Sequence, residues 1–360
     1  MSRPARALLD AGALKHNLQQ VRRHANAARV MAVVKANGYG HGLSWVAGTL
    51  GASVDAFGVS SIDEGLALRR AGVTQPVCLL EGFFSADEIP LLTREHLEPV
   101  LHHDGQLKAL AAASKETRLA VWLKVDTGMH RLGYPPSMAL EALDQLRAMP
   151  TVANVRLMSH FARADYPQDK ATQKQIDAFL ELGRNQGVEL SLANSAGILS
   201  WPASHLDWVR PGIMLYGSSP LMVKNATTLG LKPVMTLESA LIAVQARKKG
   251  DAIGYGGDWR CPEDMPVGVV AFGYGDGYPR HAPPGTPVLV NGERVPTVGR
   301  VSMDMITVDL RAQPRAKIGD PVVLWGRGLP VEEVAEGAGT LSYELLCHVT
   351  DRVPRVVRES

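Results

Sequence analysis

Short apolar and β-branched runs recur through residues 1–229 and predict eight strands. Most of the gaps between them hold longer segments with apolar residues three and four positions apart, such as residues 62–72 and 175–187, which end on glycine as helices often do. The predicted strands are residues 29–34, 55–60, 76–80, 97–101, 119–125, 155–160, 188–192 and 212–216. Strand–helix units in this number predict a (β/α)8 barrel, although little helix follows the last strand.

From about residue 230 the pattern changes to alternating strands separated by turns rich in glycine, proline and aspartate. Asn291-Gly292 between two apolar runs is typical of a tight hairpin turn. We therefore predict an α/β fold, with a (β/α)8 TIM-type barrel in residues 1–229 and a mostly antiparallel β domain in residues 230–360. Residues 1–9 are a candidate to pair with the second domain.

Composition favours small-molecule chemistry. The 360 residues are 46% hydrophobic and 21% charged, and the net charge of +2 without runs of like charge argues against nucleic-acid and membrane partners. Cys78, Cys261 and Cys347 are too far apart for a disulfide framework or a zinc site, so no metal is expected. The charged N-terminus lacks the apolar core of a signal peptide, and no segment approaches a membrane span. We expect a cytoplasmic protein.

Polar and ionisable residues gather where the predicted strands end, and barrel enzymes carry their chemistry at the C-terminal ends of their strands. These residues are Lys35, Lys124, Asp126, His160, Asn194, Ser195 and, just before the last predicted strand, Arg210. Each alone has an ordinary explanation, such as a solvated lysine, a structural histidine or an arginine in a turn. Their shared placement predicts one site at the barrel mouth.

Lys35 is the most informative of these residues. The glycines after it allow close approach of a ligand, and Tyr39 supplies a hydroxyl beside it. A lysine at a barrel mouth can form a Schiff base with a sugar aldehyde or with pyridoxal phosphate. Ser195 and Gly212 lie where barrels often bind phosphate. The residues themselves predict a Schiff-base lysine and leave its carbonyl partner open.

The sequence AVVKANGYGHG (residues 32–42) resembles the pyridoxal-phosphate attachment motif of alanine racemases, which are fold type III enzymes. Further matches follow in order along the chain: LKVDTGMHRLG (123–133), MSHFARAD (158–165), LANSAG (192–197), WVRPGIMLYG (208–217), IGYGGDW (253–259), GYGDGYPR (273–280), VGRVSMDM (298–305) and LSYELLC (341–347). The first motif alone would be much weaker, because related barrel decarboxylases and small pyridoxal-phosphate proteins carry similar lysines.

The resemblance implies how the cofactor, pyridoxal 5'-phosphate, is bound. Lys35 would hold it covalently, and Arg210 would face its pyridine nitrogen, with Ser191 standing where certain relatives have a histidine behind the arginine. The other implied cofactor contacts are Tyr39, His160, Asn194, Ser195, Gly212, Ile213 and Tyr343. Because a guanidinium stays protonated, it donates to the ring nitrogen and weakens the electron sink. Our hypothesis is that this limits transamination and favours proton exchange.

Racemisation removes a proton from one face of Cα and returns one to the other, so it suits two bases. The resemblance implies that these are Lys35 and Tyr255, with Tyr255 acting on L-alanine. A free tyrosine has a pKa of about 10 and is a poor base at neutral pH, so its phenolate must be stabilised. The family pattern places His160 between Tyr255 and Arg210, where it could do so. Taken alone, Tyr255 is more simply explained as a turn residue beside glycines.

The resemblance also implies a clamp for the carboxylate of alanine. Arg131 would pair with it, helped by the backbone N–H of Met303 and supported by Lys124, Asp126 and Asp304. Some family members carry a carbamylated lysine at the position of Lys124, and the sequence leaves both this modification and a simple structural ion pair open.

Tyr255 and Met303 lie in the second domain, whereas Lys35 lies in the barrel, and the family combines them by head-to-tail dimerisation. The resemblance therefore implies a homodimer with shared sites, whose entrance residues are Tyr274, Arg280 and Arg300. The alternatives are a barrel decarboxylase, which would place an acidic residue where Arg210 stands, and a non-catalytic cofactor carrier, which would lack the second domain. The sequence leaves three questions open: whether the role is biosynthetic or catabolic, how strictly serine is excluded as a substrate, and how strongly the dimer associates.

Overall fold

The computed structural model describes residues 3–222 and 225–358. Eight parallel strands close into a barrel, which confirms the predicted architecture. Numbering along the chain begins with β1 (Arg6–Leu9), which lies outside the barrel. The barrel strands are β2 (Arg29–Val33), β3 (Ala56–Val59), β4 (Val77–Leu79), β5 (Leu97–Leu101), β6 (Leu119–Lys124), β7 (Val152–Met158), β8 (Leu190–Asn194) and β9 (Trp208–Arg210).

Helices alternate with the barrel strands, and the first helix begins with a side-chain cap. The carboxylate of Asp10 accepts the N–H of Ala13 at 2.8 Å, which caps the first helix. The helical segments of this part of the chain are α1 (Ala11–His24), α2 (Lys35–Tyr39), α3 (Leu43–Leu50), α4 (Ile62–Arg70), α5 (Ile89–Arg94), α6 (Asp104–Ala111), α7 (Pro136–Ala148), α8 (Lys170–Gly183) and α9 (Ser195–Ser200). Within the described residues, every helix is too short or too polar to cross a membrane.

The prediction of the eighth barrel strand at residues 212–216 is wrong. The eighth barrel strand is the preceding segment, β9, and Ile213–Tyr216 form a buried 3₁₀ helix. A short apolar run fits a buried strand or a buried helical turn equally well, and Pro211, which has no N–H for a ladder, ends the pairing. Arg210 therefore ends the last barrel strand at the C-terminal rim, and α1 packs against the 3₁₀ helix where an eighth helix would lie.

The opposite end of the barrel carries a charged layer. The guanidinium of Arg156 donates to Glu98 at 2.9 Å and to Glu189 at 2.7 Å. The same carboxylates accept the indole N–H groups of Trp122 at 2.9 Å and Trp208 at 3.0 Å. Each acid is thus paired with a cation and a neutral donor, which offsets the cost of its partial burial.

The second part of the chain forms an eight-stranded, mostly antiparallel sheet, as predicted, and a small separate hairpin. The strands are β10 (Met235–Arg247), β11 (Ala252–Ile253), β12 (Trp259–Arg260), β13 (Met265–Val270), β14 (Pro287–Val290), β15 (Glu293–Val298), β16 (Ile306–Asp309), β17 (Pro321–Trp325) and β18 (Arg355–Val357). The order in the sheet is β13-β16-β15-β14-β17-β10-β1-β18, and β11 pairs with β12 in the hairpin. Two helices, α10 (Val331–Gly337) and α11 (Ser342–Cys347), precede β18.

Two local features follow from the sequence. Asn291 and Gly292 have φ of +53° and +85° and join β14 to β15, as a hairpin turn of type I′ requires. β1 pairs with β10, with Arg6 opposite Glu238, so the N-terminal strand belongs to the second sheet. The boundary between residues 229 and 230 stays a prediction.

Candidate active site

A cavity of about 570 Å³ opens at the C-terminal ends of the barrel strands. Every lining residue except Tyr343 comes from residues 33–213. The sequence-predicted residues that line it are Lys35, Tyr39, Lys124, Asp126, Arg131, His160, Asn194, Ser195, Arg210, Gly212, Ile213 and Tyr343. The fold thus brings together residues that lie far apart in the sequence.

Four further residues of the cavity lining were not predicted from the sequence. Leu80, Glu81, Phe84 and His102 also line the cavity. They follow β4 and β5, so their position at the C-terminal ends of strands was the available signal.

The chain after β2 makes one left-handed turn. Ala36, Asn37, Gly38 and Tyr39 have φ of +52°, +54°, +63° and +50°. A left-handed helical conformation costs roughly 1–2 kcal/mol for each residue with a side chain, so the surrounding structure must hold the turn. The turn carries Lys35 and Tyr39 into the same cavity.

Tyr39 is held rigidly. Its ring stacks on Tyr216 with the centroids 4.6 Å apart, and the hydroxyl of Tyr216 donates to the carbonyl of Val33 at 3.0 Å. Gly212 leaves room for the Tyr39 hydroxyl, because a Cβ at residue 212 would lie 2.5 Å from that oxygen. Burial, followed by the neighbouring Tyr343, raises the pKa of Tyr39, so its hydroxyl stays a hydrogen-bond donor.

Hydroxyl groups converge beside Gly212. Ser195 Oγ accepts the N–H of Gly212 at 2.9 Å, which leaves the hydroxyl hydrogen of Ser195 available to a ligand. Asn194 caps the following helix, α9, through the N–H of Gly197 at 3.0 Å and so supports Ser195. Hydroxyl donors around an open backbone segment fit a phosphate group.

Arg210 is buried, with 4% of its surface exposed, and its partners are neutral. It donates to Ser191 Oγ at 2.5 Å, to the carbonyl of Ser159 at 2.6 Å and to His160 Nδ1 at 3.3 Å. Burial lowers the pKa of Arg210 to about 10, so it remains charged at neutral pH. A guanidinium can only donate, so His160 Nδ1 is the acceptor and Nε2 carries the hydrogen.

Burial and neighbouring cations lower the pKa of two other groups. Burial, followed by Lys124 and Arg210, lowers the pKa of His160 well below its usual value. Burial, followed by Arg210 and Arg131, lowers the pKa of Lys124 well below its usual value. A lowered pKa increases the uncharged fraction of the amine, which is the form of lysine that reacts with carbon dioxide, so this environment favours carbamylation.

Asp126 holds the loop that carries Arg131. One carboxylate oxygen accepts the N–H groups of Gly128 at 3.0 Å, Met129 at 3.1 Å and His130 at 3.0 Å. The bonded carboxylate therefore organises the backbone from which Arg131 reaches the cavity.

Tyr255 and Met303 do not line this cavity in a single chain. They lie in the second part of the molecule, where 67% of Tyr255 and 52% of Met303 is exposed. Two consecutive glycines, Gly256 and Gly257, follow Tyr255, and both have positive φ. The site predicted from the sequence is therefore incomplete within one chain.

The remaining predicted residues also lie in the second part of the chain. Arg280 and Arg300 line a separate cavity of about 280 Å³, and Tyr274 lines another one with Arg280. Asp304 accepts from Arg352 at 2.6 Å, which holds the loop beside Met303. None of these four predicted residues is among those that line the larger cavity in the described chain.

Comparisons with known proteins agree with this architecture. The family models described as alanine racemase N-terminal and C-terminal domains match residues 9–220 and 234–357. The alanine racemase of Nitrosococcus oceani is 54% identical over 352 residues, 98% of each chain. The biosynthetic alanine racemase of Escherichia coli K12 is 51% identical, covering 97% of this chain and 98% of the relative.

A solved structure shows the same arrangement. The crystal structure of biosynthetic alanine racemase from Pseudomonas aeruginosa superimposes with a TM-score of 0.97 at 46% identity, covering 99% of this chain and 100% of that one. Both parts of the chain match the family, in order and over nearly their full length. This chain belongs to the alanine racemase family.

Proposed function

We propose that the protein interconverts L-alanine and D-alanine with pyridoxal 5'-phosphate bound in the cavity of about 570 Å³. The observation that carries the proposal is the convergence of the Lys35 amine, the hydroxyls beside Gly212 and the charged Arg210 in one cavity. When bound, the cofactor supplies an electron sink that makes the Cα proton of an amino acid removable.

The residues present fit this cofactor. Lys35 supplies the amine that carbonyl attachment needs, and Tyr39 and Ser195 supply hydroxyl donors for a phosphate. Arg210 supplies a charged donor for the pyridine nitrogen. Its neutral partners Ser191 and Ser159 hold it in place without adding a carboxylate, so a proton on that nitrogen is not favoured.

Proton exchange requires a base on each face of the substrate. We assign Lys35 to the face of D-alanine and Tyr255 to that of L-alanine. His160 keeps an Nε2–H to donate because Arg210 occupies its Nδ1. A neutral histidine that is polarised by a guanidinium would stabilise the Tyr255 phenolate.

Cations prepare the cavity for the carboxylate of alanine. The guanidinium groups of Arg131 and Arg210 both line it, and positive charge in a cleft raises the local concentration of anions. We assign direct pairing with the carboxylate to Arg131, together with the N–H of Met303.

A head-to-tail homodimer would complete the site with Tyr255 and Met303 of a second chain. The exposure of both residues in a single chain supports this assembly, because a tyrosine in bulk solvent cannot act on a substrate held beside Lys35 in the cavity. The biosynthetic names of relatives favour a cytoplasmic role in supplying D-alanine for peptidoglycan over alanine catabolism.

Subunit mixing tests the proposal. Lys35→Ala and Tyr255→Phe variants should each be nearly inactive as racemases. After random subunit exchange, about half of the dimers are mixed and each has one intact site, so about a quarter of the wild-type activity should return. Mass spectrometry verifies exchange, and unmixed variants serve as controls. If verified mixed dimers recovered no racemase activity, the proposal of shared sites would be contradicted. A wild-type protein without racemase activity would contradict the proposed function itself.

A further inference from the structure

Glu64 connects two loops at the rim of the barrel. It lies in the first turn of α4, and its two carboxylate oxygens have different partners. One accepts the N–H of Ala36 at 2.7 Å, and the other accepts the N–H of Ser60 at 2.9 Å. Ala36 directly follows Lys35, so the carboxylate holds the peptide from which the Lys35 side chain extends.

This contact is made at the start of the left-handed turn. The first N–H groups of a helical turn have no acceptor inside the turn, and a negative charge there is favourable. At the other end, the guanidinium of Arg355 donates to the carbonyl of Gly40 at 3.1 Å. An anion at the start and a cation at the end thus hold a conformation that Ala36 would not adopt by itself.

We propose that Glu64 is a positioning residue for Lys35. It fixes the backbone of Ala36, and with it the placement of the Lys35 amine for proton exchange on one face of the substrate. The inference rests on the proposed function, in which Lys35 and Tyr255 serve opposite faces. Glu64 does not belong to the set of residues that line the cavity, so it acts through the peptide and not on the substrate.

The simpler role for Glu64 is to stabilise the start of α4 through Ser60 alone. A helix cap of this kind would affect the amount of folded enzyme and would lower both directions of proton exchange together. Loss of the Ala36 contact, in contrast, displaces Lys35 and leaves Tyr255 of the other chain where it was. A displacement of about 1 Å can cost about 100-fold in rate, so the two roles are separable by experiment.

The test compares Glu64→Gln with Asp63→Asn in the cofactor-loaded enzyme. Asp63 is the exposed neighbouring acid in the same first turn, so its replacement removes the same charge from the same helix end. In D2O, the initial rate of deuterium incorporation at Cα is measured separately for D-alanine and L-alanine. The ratio of these rates does not depend on how much enzyme is folded, so partial unfolding cannot imitate the effect.

We expect Glu64→Gln to slow incorporation into D-alanine about 10- to 100-fold more than incorporation into L-alanine. Asp63→Asn should leave the ratio within about twofold of wild type, and Tyr255→Phe should shift it in the opposite direction. An unchanged ratio of the two rates in Glu64→Gln would overturn the inference, whether both rates fell equally or neither fell.

A second measurement does not depend on turnover. Amide hydrogen exchange of peptides that cover residues 33–43 should be faster in Glu64→Gln than in wild type and unchanged in Asp63→Asn, with or without cofactor. Unchanged exchange in Glu64→Gln would overturn the inference even if activity fell. A wild-type enzyme that incorporates no deuterium into either enantiomer would refute the proposed function instead, while the amide measurement would still test the Glu64 contact.

Discussion

Replacing Gly212 with alanine tests how the cofactor phosphate would be held. The new Cβ would lie 2.5 Å from the hydroxyl oxygen of Tyr39 and 3.2 Å from its Cζ, whereas ordinary contacts begin near 3.4 Å. The hydroxyl must therefore move by about 0.9 Å, the difference between 2.5 and 3.4 Å. Tyr39 cannot yield freely, because it is buried and stacked on Tyr216.

The expected cost follows from the bond that this movement breaks. A hydrogen bond to a charged group contributes about 1.5–3 kcal/mol. Loss of the proposed bond between Tyr39 and the phosphate should therefore weaken cofactor binding about 10- to 150-fold. Titration of the cofactor-free protein with pyridoxal phosphate, followed by absorbance, measures the Kd directly.

A double-mutant cycle with Tyr39→Phe isolates the cause. Phenylalanine has no hydroxyl oxygen, so Gly212→Ala should cost little in that background, apart from the tight contact with Cζ at 3.2 Å. If Gly212→Ala weakened cofactor binding equally in both backgrounds, the proposed steric effect through the Tyr39 hydroxyl would be refuted.

Two further predictions concern stability. Arg156→Met leaves Glu98 without a cationic partner, whereas Glu189 keeps Arg29, so the free energy of unfolding should fall by about 3 kcal/mol in urea titrations; a loss below about 1 kcal/mol would contradict this. Burial lowers the pKa of His41 to about 4, against about 6.5 when unfolded. The neutral His41 side chain therefore contributes fully to the free energy of unfolding above pH 6.5. This contribution, up to about 3 kcal/mol, is lost as the pH falls to about 4. The stability difference from His41→Gln should shrink over that window; a constant difference would contradict the assignment.

Local patterns predicted the elements well where a single structure fits the sequence. Asn291-Gly292 predicts a type I′ turn because both residues tolerate positive φ, and the structure has that turn. The strand predicted at residues 212–216 is wrong because the four apolar residues after Gly212 fit a strand and a buried helical turn equally. The pairing of β9 with β2 closes the barrel, and this long-range contact decided which segment became the strand.

The chemistry of individual side chains was less predictable. Lysine is usually charged and histidine usually titrates near neutral pH. In this structure, burial among cations from other strands lowers the pKa of both Lys124 and His160. Residue spacing gives no sign of the bond between Ser191 and Arg210, 19 residues later, and only the family resemblance placed Ser191 behind that arginine. Such effects depend on distances between segments, and periodicity carries no information about those distances.

Local patterns in the sequence predict the repeated strand–helix units, the antiparallel second domain and the residue types at the barrel mouth, because side-chain periodicity and turn chemistry are local properties. The left-handed turn after Lys35 is evident only in the folded chain, since that strained conformation is held by contacts with Glu64, 28 residues from Ala36, and with Arg355 at the far end of the chain. The structure also places Tyr255 on the surface and outside the cavity of its own chain, and periodicity could not show this because it depends on how distant segments pack.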